Sequence, residues 1–403
     1  MTINKEIIAE LRTQFGDAFY LLDSERFINN FKELRNAFRR YYPNSNIAYS
    51  YKTNYAFPFC KIVNELGGYA EVVSEMELEI ALRIGVNPER IIWNGPIKNP
   101  IILEKFLLAG GTDNIDNKEE LEIVRKIACQ HPGKTINIGI RVNYEVGDGV
   151  ISRFGFDIET DEFKDVLHFV TATPNVHFKN FQCHFAKRQI QYWPARTQGM
   201  LDLIDGLDIV PERIDIGGGL FGKMEDSLKA QFSCEIPDYD AYAEVSAKLF
   251  AEYFQNKDKK PELLIEPGSA IVGDCMKFVG TVMSIKNVRG KWFASVLASQ
   301  KNISMSGVNP PLVVININPE EKKYENLDFV GFTCIEGDVL YHGYSGPLAV
   351  GDVIVISNCG SYSIVMKPPF ILPNFPILDI SSDTVNIVKR AESFDDILHT
   401  YNF

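Results

Sequence analysis

Residues 69–95, YAEVVSEMELEIALRIGVNPERIIWNG, carry the pattern that decides the fold. Tyr69–Val73 is a short β-like run. Ser74–Arg83 follows, with Met76, Ile80 and Leu82 apolar among charges, as a helix with one buried face requires. Gly85 reads as the helix stop, and Ile91–Asn94 as the next strand.

The same alternation extends in both directions, from about residue 45 to residue 270. The other strand candidates are Ile47–Lys52, Asp113–Asp116, Ile136–Asn143, His177–Phe185, Arg213–Ile216 and Leu263–Glu266. Eight strands interleaved with helices predict an α/β fold, a parallel (β/α)8 TIM barrel over residues 25–270. A doubly wound open sheet has the same alternation and is the rival. After residue 270 the texture changes. Val279–Ile285, Trp292–Leu297, Leu312–Ile317, Asp352–Ile356 and Ser361–Met366 read as strands with little helix between them, predicting a C-terminal, mainly antiparallel β domain over residues 271–403. The strand-like Ala18–Leu22 assigns residues 1–24 to that domain.

Composition excludes several classes. Of the 403 residues, 45% are hydrophobic and 23% charged, which is neither disordered nor low-complexity. The net charge of −12 comes without a Lys/Arg cluster, so no nucleic-acid partner is expected. No apolar stretch is long enough to span a bilayer, so no membrane partner is expected. The N-terminal Met1–Glu6 lacks a signal-peptide layout, so the expectation is cytoplasmic. The seven cysteines are scattered and form no C-x-x-C pair, which argues against a disulfide framework or a zinc site, and no metal is expected.

In a barrel, the C-terminal strand ends converge on one mouth. The predicted ends carry Lys52, Ser74, Asn94, Asp116, Asn143, His184, Gly217-Gly218-Gly219 and Glu266. Singly, each has a plain structural reading: a surface lysine, a core histidine, a tight turn, a helix cap. Together they form a chemical set. A sheltered lysine attacks an aldehyde. Glycine N–H groups close on a phosphate. An imidazole stacks on an aromatic ring. A carboxylate holds a pyridine nitrogen protonated, making that ring an electron sink for a carbanion left by CO₂.

At these residues the chain resembles the fold-type III PLP-dependent decarboxylases, the group of diaminopimelate and ornithine decarboxylases. The resemblance runs through Ala48-Tyr49-Ser50-Tyr51-Lys52-Thr53-Asn54, Val72-Val73-Ser74 with Glu77-Leu78, Asn94-Gly95-Pro96-Ile97-Lys98 and Asn114-Ile115-Asp116-Asn117. It continues with Arg141-Val142-Asn143, Ser152-Arg153-Phe154-Gly155, His184, Asp215-Ile216-Gly217-Gly218-Gly219 and Glu266-Pro267-Gly268. It ends with Cys334, Gly337-Asp338 and Gly360-Ser361-Tyr362.

The resemblance implies an alanine racemase-like barrel binding pyridoxal 5′-phosphate, with Lys52 as its Schiff base, His184 stacked on the ring and Glu266 on the pyridine nitrogen. Gly217, Gly218, Gly219 and Gly268, with the Tyr362 hydroxyl, would bind the cofactor. Cys334 would be the general acid, entering from the neighbouring subunit of a homodimer with shared active sites. Arg153 and Asp338 would form an interface pair, and Cys334, Ile335, Glu336 and Tyr362 would meet the amino-acid substrate.

Departures from the pattern bear on the substrate. Ser269 stands where the family has arginine, and the histidine is followed by Phe185-Ala186-Lys187-Arg188 instead of a small pair. Lys187 or Arg188 is a candidate replacement for the lost charge, with a solvated loop as the plainer reading. Ile335 replaces the usual acidic residue after the cysteine, with Glu336 one place later. Residues 302–319 hold no clear counterpart of the groups that grip a distal carboxylate. A site lacking these partners should reject diaminopimelate. The expectation is a decarboxylase of an amino acid or amino-acid conjugate from siderophore, polyamine or other specialised metabolism. The alternatives are a racemase on the same fold, disfavoured because those enzymes set an arginine where Glu266 stands, and a non-catalytic homologue that binds a regulatory partner. A dinucleotide enzyme is poor, because the glycine run lacks G-x-G-x-x-G.

Overall fold

All eight strand candidates between residues 45 and 270 form strands in a computed structural model of the chain, which describes residues 3–319 and 322–402. They are β1 (Ser45–Ser50), β2 (Tyr69–Val72), β3 (Ile91–Trp93), β4 (Thr112–Ile115), β5 (Ile136–Asn143), β6 (Val176–Gln182), β7 (Arg213–Asp215) and β8 (Glu262–Ile265). Each pairs in parallel with the next, and β8 pairs back onto β1, with Leu263 opposite Ser45 and Ile265 opposite Ile47. That last pairing closes the sheet into a barrel and eliminates the open doubly wound alternative.

The chain divides into two compact units: Asn29–Gly222 with Cys234–Ile271, which holds the barrel, and Met1–Ile28 with Lys223–Ser233 and Val272–Phe403. Within the barrel, an apolar layer of Ala48, Tyr69, Ile92 and Leu264 gives way to amides. Asn180 Nδ2 donates to Asn114 Oδ1 at 2.8 Å, and Asn114 Nδ2 to Asn94 Oδ1 at 2.5 Å. Residue 139 must be glycine here, because a Cβ would lie 1.9 Å from Asn114 Oδ1.

The helix after β2 spans Glu75–Arg83, with Ser74 as its cap, accepting from Glu77 N–H at 3.3 Å. Gly85 ends it at φ +87°. Its buried face is not the expected one. Glu77, Leu78 and Ala81 face inward, while Met76 and Leu82 are exposed. The Glu77 carboxylate reaches back to accept from Val73 N–H at 2.8 Å, which rotates its own side of the helix toward the barrel.

The other unit is built on a mostly antiparallel sheet. Ala18–Leu22 pairs antiparallel with Met276–Val288 and parallel with Ile377–Asp379. Met276–Val288 also pairs with Lys291–Val296 and Val353–Ile356, and the latter with Leu312–Ile315. Phe19, Leu21, Val279, Val353, Val355 and Leu378 form its core with Ile8 and Leu11 of the helix Lys5–Phe15. Ser361–Met366 is not the expected strand but a turn. Tyr362 sits at φ +59°, the Ser363 hydroxyl donates to the Cys359 carbonyl, and a Cβ on Gly360 would lie 1.7 Å from the Val272 carbonyl oxygen. The strands Lys322–Val330, Val339–Leu348, Ile377–Asp379 and Asn386–Lys389 were not anticipated. Among the described residues, no helix is long and apolar enough to cross a membrane.

Candidate active site

The barrel mouth gathers its functional side chains because each lies just past, or in the last turn of, a strand. Lys52 sits in the 3-10 turn Tyr51–Thr53 that follows β1, and its Nζ lies 2.7 Å from Glu71 Oε2 on β2. The lysine side chain is 38% exposed and the glutamate side chain 1%, so the pair presents its amine outward from a buried carboxylate. The Ser50 hydroxyl donates to the same Glu71 oxygen.

Asn94, just beyond β3, ties this pair to a second buried carboxylate. Its Nδ2 donates to Glu71 Oε1 at 3.2 Å and to Glu266 Oε1. Because both acceptors are carboxylates, the amide orientation is fixed by chemistry, as is that of Asn114 and Asn180 behind it. Gln182 Nε2 donates to both Glu266 oxygens, at 3.3 and 3.2 Å. Burial pushes the Glu266 carboxyl well above the usual range, with the charges of Asp215 and Glu71 adding to the effect. Burial likewise pushes Asp215 up to about 7.

His184 and the glycine turn form the opposite wall. The Gly218 N–H donates to His184 Nδ1 at 3.1 Å, which leaves the ring proton on Nε2. Burial, then the nearby cations Arg196, Lys52 and Arg141, hold the imidazole well below its ordinary pKa, so it is neutral. Gly217 and Gly219 adopt φ +72° and +84°, and Asp215 Oδ1 accepts from the Gly217 N–H at 2.8 Å. A Cβ on Gly217 would sit 2.3 Å from the Cys183 carbonyl oxygen, and one on Gly218 2.3 Å from that of Glu266. The turn therefore admits only glycine.

Residues 27–273 match the family described as pyridoxal-dependent decarboxylase, pyridoxal-binding domain. The chain belongs to the pyridoxal-dependent decarboxylase family. It is 26% identical to the diaminopimelate decarboxylase of Aquifex aeolicus, over 97% of this chain and 93% of that one. It is 26% identical to the enzyme of the same name from Methanothermobacter thermautotrophicus, over 98% and 93%. Its fold superposes on the crystal structure of M. jannaschii diaminopimelate decarboxylase with a TM-score of 0.86, at 22% identity over 98% and 94% of the two chains. Lysine/ornithine decarboxylase from Vibrio vulnificus superposes with a TM-score of 0.74, at 18% identity over 93% and 98%.

The barrel mouth of this decarboxylase fits pyridoxal phosphate by its donor set. It offers the Lys52 amine, the deep carboxyl of Glu266, one neutral imidazole and a glycine turn packed too closely for a Cβ on Gly217 or Gly218. Gly268 packs against Thr53, whose Oγ1 would lie 2.0 Å from an added Cβ. Other predicted mouth residues are structural. Ser74 caps a helix, and Asn143 Nδ2 donates to the carbonyls of Ser152 and Phe154, both at 2.9 Å. Asp116 accepts from the Gly155 N–H at 3.1 Å and lies 3.4 Å from Arg141 Nη1. The loop so fixed carries Arg153, which is exposed with its guanidinium 4.1 Å from the Phe154 ring. Lys187 is half-buried; Arg188 is exposed and lies 5.8 Å from the Phe221 ring. Ser269 opens the short helix Ser269–Val272.

Cys334, Ile335, Glu336, Asp338 and Tyr362 belong to the other unit. Cys334 and Glu336 are exposed, and Ile335 is 50% exposed, all on one turn. The buried Asp338 carboxylate fastens that turn, accepting from Thr333 Oγ1 at 2.6 Å, Gln300 N–H at 2.7 Å and Ser299 Oγ at 3.0 Å.

Sequence reasoning missed Glu71, Gln182 and Arg196. The first two carried a signal. Glu71 is a lone charge inside an apolar strand, and Gln182 stands two residues before His184, on the same side of its strand. Arg196, on the helix Trp193–Leu207, carried none.

Proposed function

We propose that this decarboxylase acts on a conjugated or otherwise derivatised amino acid, and that two copies share their active sites. Lys52 is the amine that holds the cofactor, and Glu266 is the carboxylate that faces its ring nitrogen. The observation that carries these roles is the shared amide of Asn94, which links the lysine's buried partner to Glu266. When bound, pyridoxal phosphate supplies an electron sink that takes up the pair left by departing CO₂. His184 presents a neutral ring face, and its fixed tautomer keeps Nδ1 engaged with the glycine turn. Gly217, Gly218 and Gly219 close on the phosphate, joined by Gly268.

Cys334 Sγ of the second copy delivers a proton to the substrate's α-carbon. Arg153 and Asp338 lie at that interface, Asp338 acting through the turn it fastens. Cys334→Ala is expected to lower turnover by about 10²-fold while leaving cofactor absorbance intact. Mixing Cys334→Ala with Lys52→Ala should restore part of the activity, because one site in the mixed dimer is then whole. Absence of any recovery after mixing and refolding together would exclude shared sites.

The substrate reading rests on Ile335, an apolar and half-exposed side chain on the Cys334 turn, and on Ser269. Neither offers a charge to a distal ammonium or carboxylate. The test is CO₂ release across meso-diaminopimelate, lysine, ornithine and amino acids carrying an amide-linked or alkyl substituent on the distal nitrogen. A substituted amino acid should exceed diaminopimelate in kcat/KM by about 10²-fold. Diaminopimelate turned over as well as the best conjugate overturns the reading.

A further inference from the structure

Arg196 is wholly buried, which is rare for a guanidinium. Its Nη1 donates to the Gly218 carbonyl at 2.5 Å and the Ile216 carbonyl at 3.4 Å. Its Nη2 donates to the carbonyls of Phe185 at 3.1 Å and Lys187 at 3.4 Å. One side chain thus ties together the glycine turn and the loop after His184. The guanidinium lies 4.4 Å from the Trp193 ring, and Tyr144 donates its hydroxyl hydrogen to the Arg196 carbonyl at 2.5 Å.

Among the described residues, no carboxylate forms an ion pair with Arg196; Asp148 is the acid whose charge reaches it. A buried charge without a counter-ion is costly, and carbonyl oxygens offset only part of that cost. The charge sits behind the cradle: a Cβ on Gly219 would be 3.8 Å from Nη2. The two carbonyls bonded to Nη1 belong to the Ile216–Gly217 and Gly218–Gly219 peptides. Polarising the Gly218–Gly219 peptide strengthens the Gly219 N–H as a donor, while the Gly217 N–H is already given to Asp215 Oδ1.

We propose that Arg196 is a positioning residue for an anion on the glycine turn, supplying from behind the backbone the positive charge that is missing at Ser269. Resting on the cofactor reading above, this names the group responsible for preferring a phosphate dianion at that place. The charge acts through space and through the polarised peptides, since both Nη atoms are already engaged with the backbone.

The test compares two aldehydes that differ only in the phosphate. Full-length protein stripped of cofactor is titrated with pyridoxal 5′-phosphate and with pyridoxal, following absorbance and tryptophan fluorescence. Wild type should prefer the phosphorylated form strongly. Arg196→Met should lose about 10²-fold in affinity for pyridoxal phosphate and change less than about 3-fold for pyridoxal. Arg196→Lys should keep most of the preference. Ser269→Arg in the Arg196→Met background should regain it. Equal loss for both aldehydes, or no loss for either, overturns the proposal. Should Arg196→Met not fold, Arg196→Gln decides: loss confined to pyridoxal phosphate supports the proposal, whereas a purely structural role predicts equal weakening for both ligands. Wild type binding neither aldehyde would instead sink the cofactor reading, and this inference with it.

Discussion

Lys52→Ala is expected to give a folded, colourless protein whose turnover is at least about 10³-fold below wild type. The reason lies in what surrounds the amine. Glu71 is almost wholly buried, accepts from Ser50 and Asn94, and places Lys52 Nζ at 2.7 Å. The lysine is thus held at the mouth while its side chain stays accessible. Lys98, buried beyond β3, cannot replace it, because its Nζ is taken by Asp113 at 2.7 Å and by Glu120. Removing Lys52 leaves the Glu71 carboxylate with two hydrogen-bond donors but no cation, so the variant should also melt at a lower temperature. Two measurements separate this from general unfolding. Circular dichroism should remain that of an α/β protein. Borohydride treatment followed by peptide mapping should fix the cofactor at residue 52 in wild type and nowhere in the variant. A variant that stays yellow and turns over removes Lys52 from the mechanism.

The barrel was legible because short runs rich in apolar or β-branched residues, ended by a polar residue or glycine, alternate with helices, Thr112–Ile115 and Arg213–Asp215 being the more polar exceptions. Closure was not, since the pairing of β1 with β8 joins residues more than two hundred positions apart and leaves no local mark. In the other unit, Lys322–Val330 and Val339–Leu348 escaped notice because charges, glycine and proline interrupt them and much of their surface faces outward. Ser361–Met366 misled in the opposite direction. Its residues suit a strand, but the backbone at Tyr362 lies in the left-handed region, which only tertiary packing imposes. At the site, the residues expected to bear chemistry were visible as isolated polar side chains at strand ends. Their supports were less so. Arg196 sits among residues typical of an amphipathic helix, and only the fold brings its guanidinium under a turn more than twenty positions away.

Glu266→Gln is expected to lower turnover by about 10² to 10³-fold while leaving the cofactor-free protein at least as stable as wild type at neutral pH. The two effects have one origin. Glutamine keeps the shape and still accepts from Asn94 through its carbonyl. Gln182 Oε1, buried without a hydrogen-bond partner, can turn to accept from the new amide. What disappears is the charge. Without cofactor that charge is a burden, because burial and the neighbouring Asp215 and Glu71 raise the Glu266 pKa far above its unfolded value. A carboxyl raised on folding binds its proton more tightly in the native state. It therefore costs stability progressively as pH rises from the unfolded pKa toward the folded one. Melting temperatures of the cofactor-free proteins should accordingly diverge in favour of the variant as pH rises above the ordinary carboxyl range. With a protonated ring nitrogen opposite it the sign reverses: the buried carboxylate gains its counter-charge, and glutamine cannot supply one. A variant that gains no stability with rising pH when empty, yet turns over like wild type when loaded, would place the ring nitrogen's partner elsewhere in the barrel.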